Sequence, residues 1–504
     1  MTLLKLAKER FGDLTEVEEK LFLDIQMDGM AIFLDDLEDI DPSTADLPEL
    51  PAECVAWLLT DRKVGELITH RGVTVVGARL TGVLDASFAR FPWQVNLFHC
   101  HVSEGLNLRE ASLGLLRLSR SHVGWLSADG MGVSGDVFLG QGFTACGEVR
   151  FLGASIGGDL ECSGATFDNA GGYALSTNRM KVSGAVFLNK GFSAEGEVCL
   201  VGSSIGGKLE CTGGSFQNSG GDALNLEAVT LSGAVYCNGM AVDGRVKIEN
   251  SSLHRKLHLA DNIWEAGSSL SLIGTSVNVL CDGNGAWPDK GNVRLNGFTY
   301  EAIHDEATKD VAERLAWLDL QPDDEYRPQP YEQLAAVYAR NGFGSQARKV
   351  LIAKNRRLAR FYRRDMAAGL KRLFRSSGEA VLPGYGFLPG IWHHVLGAVV
   401  GYGYRPQRLL YLALGMVALG WLLFGLGGQG AMVPALDGAQ GHPPFHALIY
   451  SLDTFLPLVD LEQKNRWVPD GRVWWLGWYQ VLHILMGWFL TTMGVAALID
   501  RLKR

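Results

Sequence analysis

Four polar side chains lie within a short apolar segment near the end of the chain. Ser451, Asp453, Thr454 and Asp460 occur in the sequence FHALIYSLDTFLPLVDL, which covers residues 445–461. Rings of hydroxyl and carboxylate groups select cations when several copies of a chain arrange them around water. The segment therefore predicts a pore loop whose filter is formed by Ser451, Asp453, Thr454, Phe455, Leu456, Pro457, Leu458, Val459 and Asp460.

Two apolar segments flank this loop and must position it. Leu409–Leu426 and Trp474–Leu498 contain no Asp, Glu, Lys or Arg, and about 20 residues at 1.5 Å per residue cross a bilayer core. The loop between them is too short for a third span and breaks at Pro457, which is typical of a re-entrant segment. In the second helix Gly487 and Gly494 are candidate gating hinges, although glycine equally permits close helix packing. The alternative is a plain two-helix anchor whose loop lies on the membrane surface.

The pore interpretation requires more than one copy of the chain. Non-helical backbone at membrane depth persists only where protein shelters it or water solvates it, so we expect a homotetramer in contact with membrane lipid. Basic residues flank the hairpin, and the positive-inside rule then places both termini in the cytoplasm of a two-span protein of the bacterial inner membrane. These residues are Arg405, Arg408, Arg501, Lys503 and Arg504.

A 49-residue repeat dominates the middle of the chain. GEVRFLGASIGGDLECSGATF begins at Gly147, and GEVCLVGSSIGGKLECTGGSF begins at Gly196. Period-two alternation bounded by glycine indicates strands and tight turns, and fixed self-similarity indicates a solenoid. We predict a right-handed parallel β-helix with two coils per repeat, in which Cys162 lies directly beneath Cys211. The predicted inward-facing residues are Leu139, Phe151, Leu160, Phe167, Phe187, Leu200, Leu209 and Phe216.

The predicted fold is mostly β, with helices at both ends of the solenoid. Residues 1–70 are expected to form an acidic helical cap with helices over 14–33 and after Pro51, and residues 71–299 the β-helix. Residues 300–404 are expected to form a helical linker, with a helix over 301–320, a helical hairpin over 329–364 that is broken at Gly342, and an interfacial helix over 391–404. Residues 405–504 form the two-helix transmembrane pore-loop module.

A basic run within the linker has two interpretations. It either contacts the phosphates of anionic lipid beside the membrane, or it binds the backbone of an oligonucleotide. The candidate phosphate contacts are Arg348, Lys349, Lys354, Arg356, Arg357 and Arg360.

Enzyme chemistry is not indicated by the sequence. HExxH, a nucleotide-binding glycine fingerprint between a strand and a helix, and Cys/His clusters at metal spacing do not occur. GxSxG occurs at 153–157 and 202–206, but the two matches lie 49 residues apart within the predicted solenoid, where the glycines form turns and no strand-to-helix elbow is expected. The eight cysteines form no CxxC pair, which favours reduced thiols over a metal site or a disulfide framework. We therefore expect neither a metal nor a cofactor.

Three parts of the chain carry a resemblance to known proteins: the capped Gly-rich solenoid, the segment YEQLAAVYARNGFGSQARKVLIAK and the segment SLDTFLPLVDL. Together they resemble bacterial proteins labelled pentapeptide-repeat or membrane-associated oxidoreductase proteins, although no redox motif is present. The layout also resembles the channel effectors of the Hailong antiphage system. That resemblance implies a tetrameric channel acting in abortive infection, gated by a nucleotide or by single-stranded DNA oligomers from a partner nucleotidyltransferase.

The loop itself resembles those of pore-loop cation channels. Ser451-Leu452-Asp453-Thr454 matches the end of the pore helix and the first filter threonine, and Asp460 matches the aspartate after the filter. FLPLV replaces the Gly-Tyr-Gly carbonyl ladder, so potassium selectivity is not implied, and a ring of Asp453 or Asp460 would favour cations. The alternative function is a membrane-tethered β-helix scaffold without conductance.

Overall fold

The computed structural model describes residues 2–34, 41–304, 310–375, 395–397, 399, 401, 402, 404, 407–426, 430–435 and 444–502. The chain divides into two units, Met1–Gly342 and Phe343–Arg504. Helices of the first unit are α1 (Leu3–Phe11), α2 (Glu16–Asp28), α3 (Ala52–Thr60), α4 (Arg62–Gly65), α5 (Val311–Leu318) and α6 (Gln329–Arg340). Those of the second unit are α7 (Gly344–Arg375), α8 (Gln407–Leu426), α9 (Ala447–Phe455) and α10 (Trp474–Leu502).

The N-terminal helices α1 to α3 begin and end at clear sequence signals. Thr15 and Glu18 form a reciprocal capping box at the start of α2. Gly29 ends α2 in the left-handed region with φ 71°. Because of this stop the predicted helix over 14–33 is wrong at its end, and Met30–Ile32 forms a strand that pairs in parallel with Val73–Val76.

A parallel β-solenoid of about ten turns follows, as predicted. Its strands form two long sheets in the described part of the chain. The first comprises Met30–Ile32, Val73–Val76, Arg90–Phe98, Ser112–Arg117, Gly132–Val133, Val137–Phe138, Ser155–Ile156, Leu160–Glu161, Lys181–Val182, Val186–Phe187, Ser204–Ile205, Leu209–Glu210, Thr230–Leu231, Val235–Asn238, Ser252–Ala260, Ser276–Asp282 and Thr299–Ile303. The second comprises Glu49–Pro51, Arg79–Thr81, Leu84–Asp85, His101–Val102, Leu106–Asn107, His122–Val123, Leu126–Ser127, Thr144–Ala145, Val149–Arg150, Thr166–Ser176, Ser193–Cys199, Ser215–Asn225, Ala241–Lys247, Ile263–Trp264, Ser269–Ser271 and Val293–Arg294.

The strand register confirms that each 49-residue repeat makes two coils. Ser155 pairs with Lys181, and Lys181 pairs with Ser204. Successive coils therefore take 26 and 23 residues, which together equal the repeat length read from the sequence. Sequence equivalents 49 residues apart consequently lie two coils apart, with one coil between them.

Most of the predicted core is confirmed. Leu139, Phe151, Leu160, Phe167, Leu200, Leu209 and Phe216 are buried. Phe143, Phe167, Phe192 and Phe216 also stack through the core, with ring centroids 5.4–5.7 Å apart.

Two core predictions are wrong. Phe187 is only half-buried and faces outward, because its neighbours Val186 and Leu188 take the inward positions of that strand. Cys162 does not lie directly beneath Cys211, since Leu188 occupies the intervening coil. The thiol next to Cys211 is that of Cys237, in the following coil. All eight cysteines carry free thiols.

The last coil is closed by side chains of helices α5 and α6. Strand Thr299–Ile303 pairs with Ser276–Asp282, so the predicted helix over 301–320 is wrong at its start and begins only at Val311. Buried Arg314 binds Asp282 through two hydrogen bonds of 2.7 and 2.8 Å. Gln333 Nε2 donates to the carbonyl of Tyr300 at 2.6 Å. These contacts satisfy polar groups at the solenoid end, where an open strand edge would invite pairing with other chains.

The second unit contains two helices long and apolar enough to cross a membrane, Gln407–Leu426 and Trp474–Ala496, with mean hydropathy 2.2 and 1.2. Between them, strands Met432–Pro434 and Trp467–Pro469 pair antiparallel. Half of the predicted interfacial helix over 391–404 lies outside the described residues.

Candidate pore-loop site

Helix α9 is inserted between the two membrane-length helices. At its start Tyr450 packs against Phe424 near the end of α8, and Phe424 also contacts Tyr479 near the start of α10. At its end Phe455 belongs to the same apolar cluster as Leu490. Helix α9 therefore runs antiparallel to α8 and parallel to α10.

The depth to which α9 is inserted follows from the residues of α10 that lie beside its two ends. Tyr450 and Leu476 belong to the same apolar cluster, and Phe455 lies against Gly487. These two positions of α10 are 11 residues apart, about 16 Å at 1.5 Å per residue. The chain then turns back, because Trp467 returns to 5.5 Å from Phe445. The segment thus descends about half of the 23-residue apolar helix and returns, as a re-entrant loop does.

Asp453 fixes the returning half of the loop. Its side chain is fully buried, and its two carboxylate oxygens accept the backbone N–H groups of Leu461, Gln463 and Lys464 at 2.7–2.8 Å. The ammonium of Lys464 lies 3.5 Å from Oδ1. A carboxylate whose lone pairs are satisfied in this way is structural, so Asp453 does not supply the exposed ring that the sequence offered as one alternative.

A polar network joins α9 to both long helices. Ser451 Oγ donates to the carbonyl of Val417 at 2.8 Å. His483 Nε2 lies 3.1 Å from the Ser451 carbonyl and 3.2 Å from its hydroxyl, and the side chains of Tyr450 and Gln480 are hydrogen-bonded at 2.8 Å. Buried polar groups with satisfied partners specify one packing arrangement.

Apart from Ser451, the residues of this network were missed as site residues at the sequence level. The signal that could have found them is His483, since it is the sole histidine in the two predicted spans.

The nine predicted filter residues separate into three groups. Ser451, Asp453, Thr454 and Phe455 are buried, and the Thr454 hydroxyl donates within its own helix to the carbonyl of Tyr450. Leu456 and Pro457 are half-buried and form the turn. The exposed group is Leu458, Val459 and Asp460, of which Leu458 is 83% exposed. Among the nine predicted filter residues, only this exposed group is available to line a water-filled path.

The two predicted hinge glycines have different surroundings. A Cβ at Gly487 would collide with the carbonyl oxygen of Phe455, whereas a Cβ at Gly494 would meet nothing within 4 Å. Gly420 of α8 likewise leaves room for the Ser451 hydroxyl. Gly487 and Gly420 therefore permit close helix packing, the alternative that the sequence left open.

The basic run lies on α7, and most of its side chains are exposed. Arg348, Lys349, Arg356 and Arg360 are exposed, whereas Lys354 is half-buried and Arg357 is only 6% exposed. Lys349, Arg356 and Arg360 are seven and four residues apart and thus share one helix face. Burial raises the pKa of Tyr402, while Arg356 and Arg363 oppose that increase.

Comparisons with protein-family models, with curated proteins and with solved structures give no match for this chain. Its function therefore has to be argued from its own residues.

The outer surfaces of α8 and α10 are apolar. Only 17% of each apolar window is buried within the chain. The exposed side chains include Leu410, Tyr411, Leu414, Trp421, Leu422, Trp474, Trp478, Leu482 and Leu485. Exposed apolar surface of this extent marks contact with lipid or with another protein chain.

Proposed function

We propose that this protein is a ligand-gated, oligomeric membrane channel, with Leu458, Val459 and Asp460 facing the conducting path. The β-solenoid is the sensor domain in this proposal. One observation carries it: the chain between Phe455 and Trp467 is largely non-helical and turns about half way along two membrane-length helices.

The physical argument concerns the solvation of that segment. In hydrocarbon an unpaired backbone group costs several kcal/mol, so irregular backbone at membrane depth must be covered by protein or face water. The Asp453 carboxylate satisfies three backbone N–H groups from inside the chain. The exposed side of Leu458–Asp460 needs further shelter, which copies of the chain around a central axis would supply.

The exposed residues also suggest how the path would work. A ring of Asp460 carboxylates would attract cations, and rings of Leu458 and Val459 would form an apolar constriction that closes by dewetting. The tetramer, the nucleotide or single-stranded DNA ligand and the antiphage role rest on the resemblance to Hailong channel effectors and belong to the same proposal. Lipid phosphates or the oligonucleotide backbone are the proposed partners of the α7 basic face.

Ion flux through liposomes containing the purified full-length protein tests the proposal, with the sensor left free or exposed to short DNA oligomers. We expect a cation-selective conductance. Replacement Asp460→Asn should lower the cation-to-anion permeability ratio, whereas Glu462→Gln, which removes an exposed acid two residues further on, should leave it unchanged. A monomeric particle in detergent together with silent liposomes under every condition would overturn the proposal.

The second candidate is a membrane-tethered scaffold without conductance. It is favoured by the long outward sheet faces of the solenoid, which can present side chains to a partner. In that case any two-helix hairpin could replace residues 405–504 without loss of cellular activity. The internal clamp of Asp453 supports the channel, because a tether has no need of an ordered loop between its helices.

A further inference from the structure

An alternating ladder of aromatic and acidic side chains follows one outward column of the first solenoid sheet. Phe138 pairs with Glu161, Glu161 with Phe187, Phe187 with Glu210 and Glu210 with Tyr236. The alternation comes from the 49-residue repeat, since the three aromatic residues are 49 positions apart and the two glutamates are also 49 apart. Each glutamate therefore lies between two aromatic rings.

In the later half of the ladder the protein supplies its own cation. The Lys208 ammonium lies 5.1 Å from the centroid of the Phe187 ring and 5.7 Å from that of Tyr236. It also forms a 2.9 Å ion pair with Glu210. Rings two coils apart are separated by about 9.6 Å along the sheet, and Lys208 demonstrates that this spacing admits an ammonium within cation–π distance of both.

The earlier half of the ladder has the same arrangement of two aromatic rings around a glutamate, but it lacks the lysine. We call Phe138, Asp159, Glu161 and Phe187 the 138–187 window. Asp159 occupies the position that corresponds to Lys208, 49 residues earlier. Both rings and both carboxylates of the window are half-buried.

The carboxylates of the window are held in place. Asp159 Oδ1 accepts the N–H of Ala185 at 2.6 Å, and Glu161 Oε1 accepts that of Ser163 at 2.9 Å. Asp136, one coil earlier, accepts the N–H of Asp159 at 2.8 Å.

The charges around the window favour a cation from outside. Asp136, Asp159 and Glu161 place three carboxylates in adjacent coils. Two cations reach the rings of the window from the coils on either side of it: Arg117 stacks over Phe138 at 4.5 Å, and the Lys208 ammonium lies 5.1 Å from the Phe187 ring and is paired with Glu210. Carboxylates exclude phosphates from this face and attract an ammonium.

We propose that the 138–187 window binds a primary alkylammonium group, held between the two phenylalanine rings and neutralised by Glu161 and Asp159. A free polyamine and a lysine side chain of a partner protein carry this same chemistry. The site is independent of whether the chain conducts ions.

Saturation-transfer NMR on the full-length protein in detergent tests the site with three probes: butylammonium, a Gly-Gly-Lys-Gly-Gly peptide, and the same peptide with an acetylated lysine. We expect transfer to the ammonium probes and none to the acetylated peptide. Binding of butylammonium together with the peptide would indicate a free amine as a sufficient ligand. Binding of the peptide alone would indicate a protein partner.

Two reciprocal variants make the test specific. Asp159→Lys installs the lysine that the next repeat carries, and the new ammonium should occupy the window. Probe binding should then weaken at least about fivefold, as expected for lost cation–π and ion-pair contacts. Lys208→Asp should open the second window and raise the number of bound probes from one to two. A circular dichroism melt of each variant confirms the fold. Absence of ammonium binding to the parent protein, or equal binding by a folded Asp159→Lys variant, would overturn the inference.

Discussion

A buried carboxylate is costly unless hydrogen bonds replace its hydration, and Asp453 meets that condition within one chain. Its oxygens hold the backbone of Leu461, Gln463 and Lys464. Asp460, seven residues later, is exposed and accepts hydrogen bonds from the N–H of Glu462 and the side chain of Asn465. Asp453 thus has a structural role, whereas Asp460 remains exposed. The difference arises because the chain reverses at Pro457.

The first prediction concerns this clamp. Asp453→Asn replaces one acceptor oxygen by a donor facing backbone N–H groups, which should destabilise the returning loop by about 2–4 kcal/mol. Hydrogen exchange at Leu461, Gln463 and Lys464 should then accelerate by about 30-fold or more. Asp460→Asn is the matched control and should leave these three amides protected. Unchanged protection in Asp453→Asn would mean that the clamp contributes little.

The second prediction separates helix packing from hinge bending. Gly487→Ala should force α9 away from α10, because the new Cβ collides with the carbonyl of Phe455, and should lower the melting temperature of the detergent-solubilised protein. Gly494→Ala meets nothing within 4 Å and should be neutral or stabilising by up to about 1 kcal/mol through helix propensity. If both substitutions left the melting temperature unchanged but altered gating, the hinge interpretation would be favoured instead.

At the scale of elements, the sequence alone predicted the repeats of the solenoid and the two long apolar helices. The 49-residue self-similarity predicted two coils, and the two apolar segments predicted the long helices, because both patterns are periodic and local. The orientation of Phe187 was not predicted, since hydrophobicity alone does not say which of Val186, Phe187 and Leu188 faces inward. Strand Met30–Ile32 and residues 301–303 of strand Thr299–Ile303 were predicted as helix, because their strand character depends on pairing with distant coils.

The candidate site was predicted in its location but not in its internal bonding. Segment length and Pro457 indicated a re-entrant loop, and the structure places α9 between the long helices. The hydrogen bonds of Asp453 and the contact of Ser451 with His483 join residues up to 32 positions apart. Contacts of that kind follow from the packing of three helices and have no sequence signature of their own.

The third prediction uses the repeat as a unit of construction. Deleting residues 158–206 removes one 49-residue repeat and joins Gly157 to Gly207, which recreates the Gly-Gly pair of the native turn. We expect a folded, shorter solenoid with a lower melting temperature, because its stability is approximately a sum over coils and their interfaces. Deleting residues 158–194 instead leaves a partial coil and should give aggregated protein by size-exclusion chromatography. Aggregation of both variants would show that these two coils are not interchangeable units.

At the scale of the whole molecule, exposed apolar surface is unevenly distributed between the two units. Among the described residues, 10 exposed large hydrophobic side chains lie within Met1–Gly342 and 23 within Phe343–Arg504. The second unit is less than half as long as the first, so its surface is far more apolar. Bilayer contact and contact between copies in the channel proposal both belong to that second unit, whereas the solenoid has its own buried core and closed ends.

The last prediction follows from this division. Residues 1–342 alone should be soluble and monomeric, with a β-rich circular dichroism spectrum and a cooperative melt, because the core of the solenoid and both of its end caps lie within them. Residues 1–309 are the matched control: they lack α5 and α6, and with them the Arg314 partner of Asp282 and the Gln333 contact to Tyr300. Leaving strand Thr299–Ile303 as an open edge should cause aggregation or a lower melting temperature. If residues 1–342 precipitated while the full chain remained folded in detergent, the solenoid would depend on the second unit for its stability, and a sensor domain that folds by itself would be excluded.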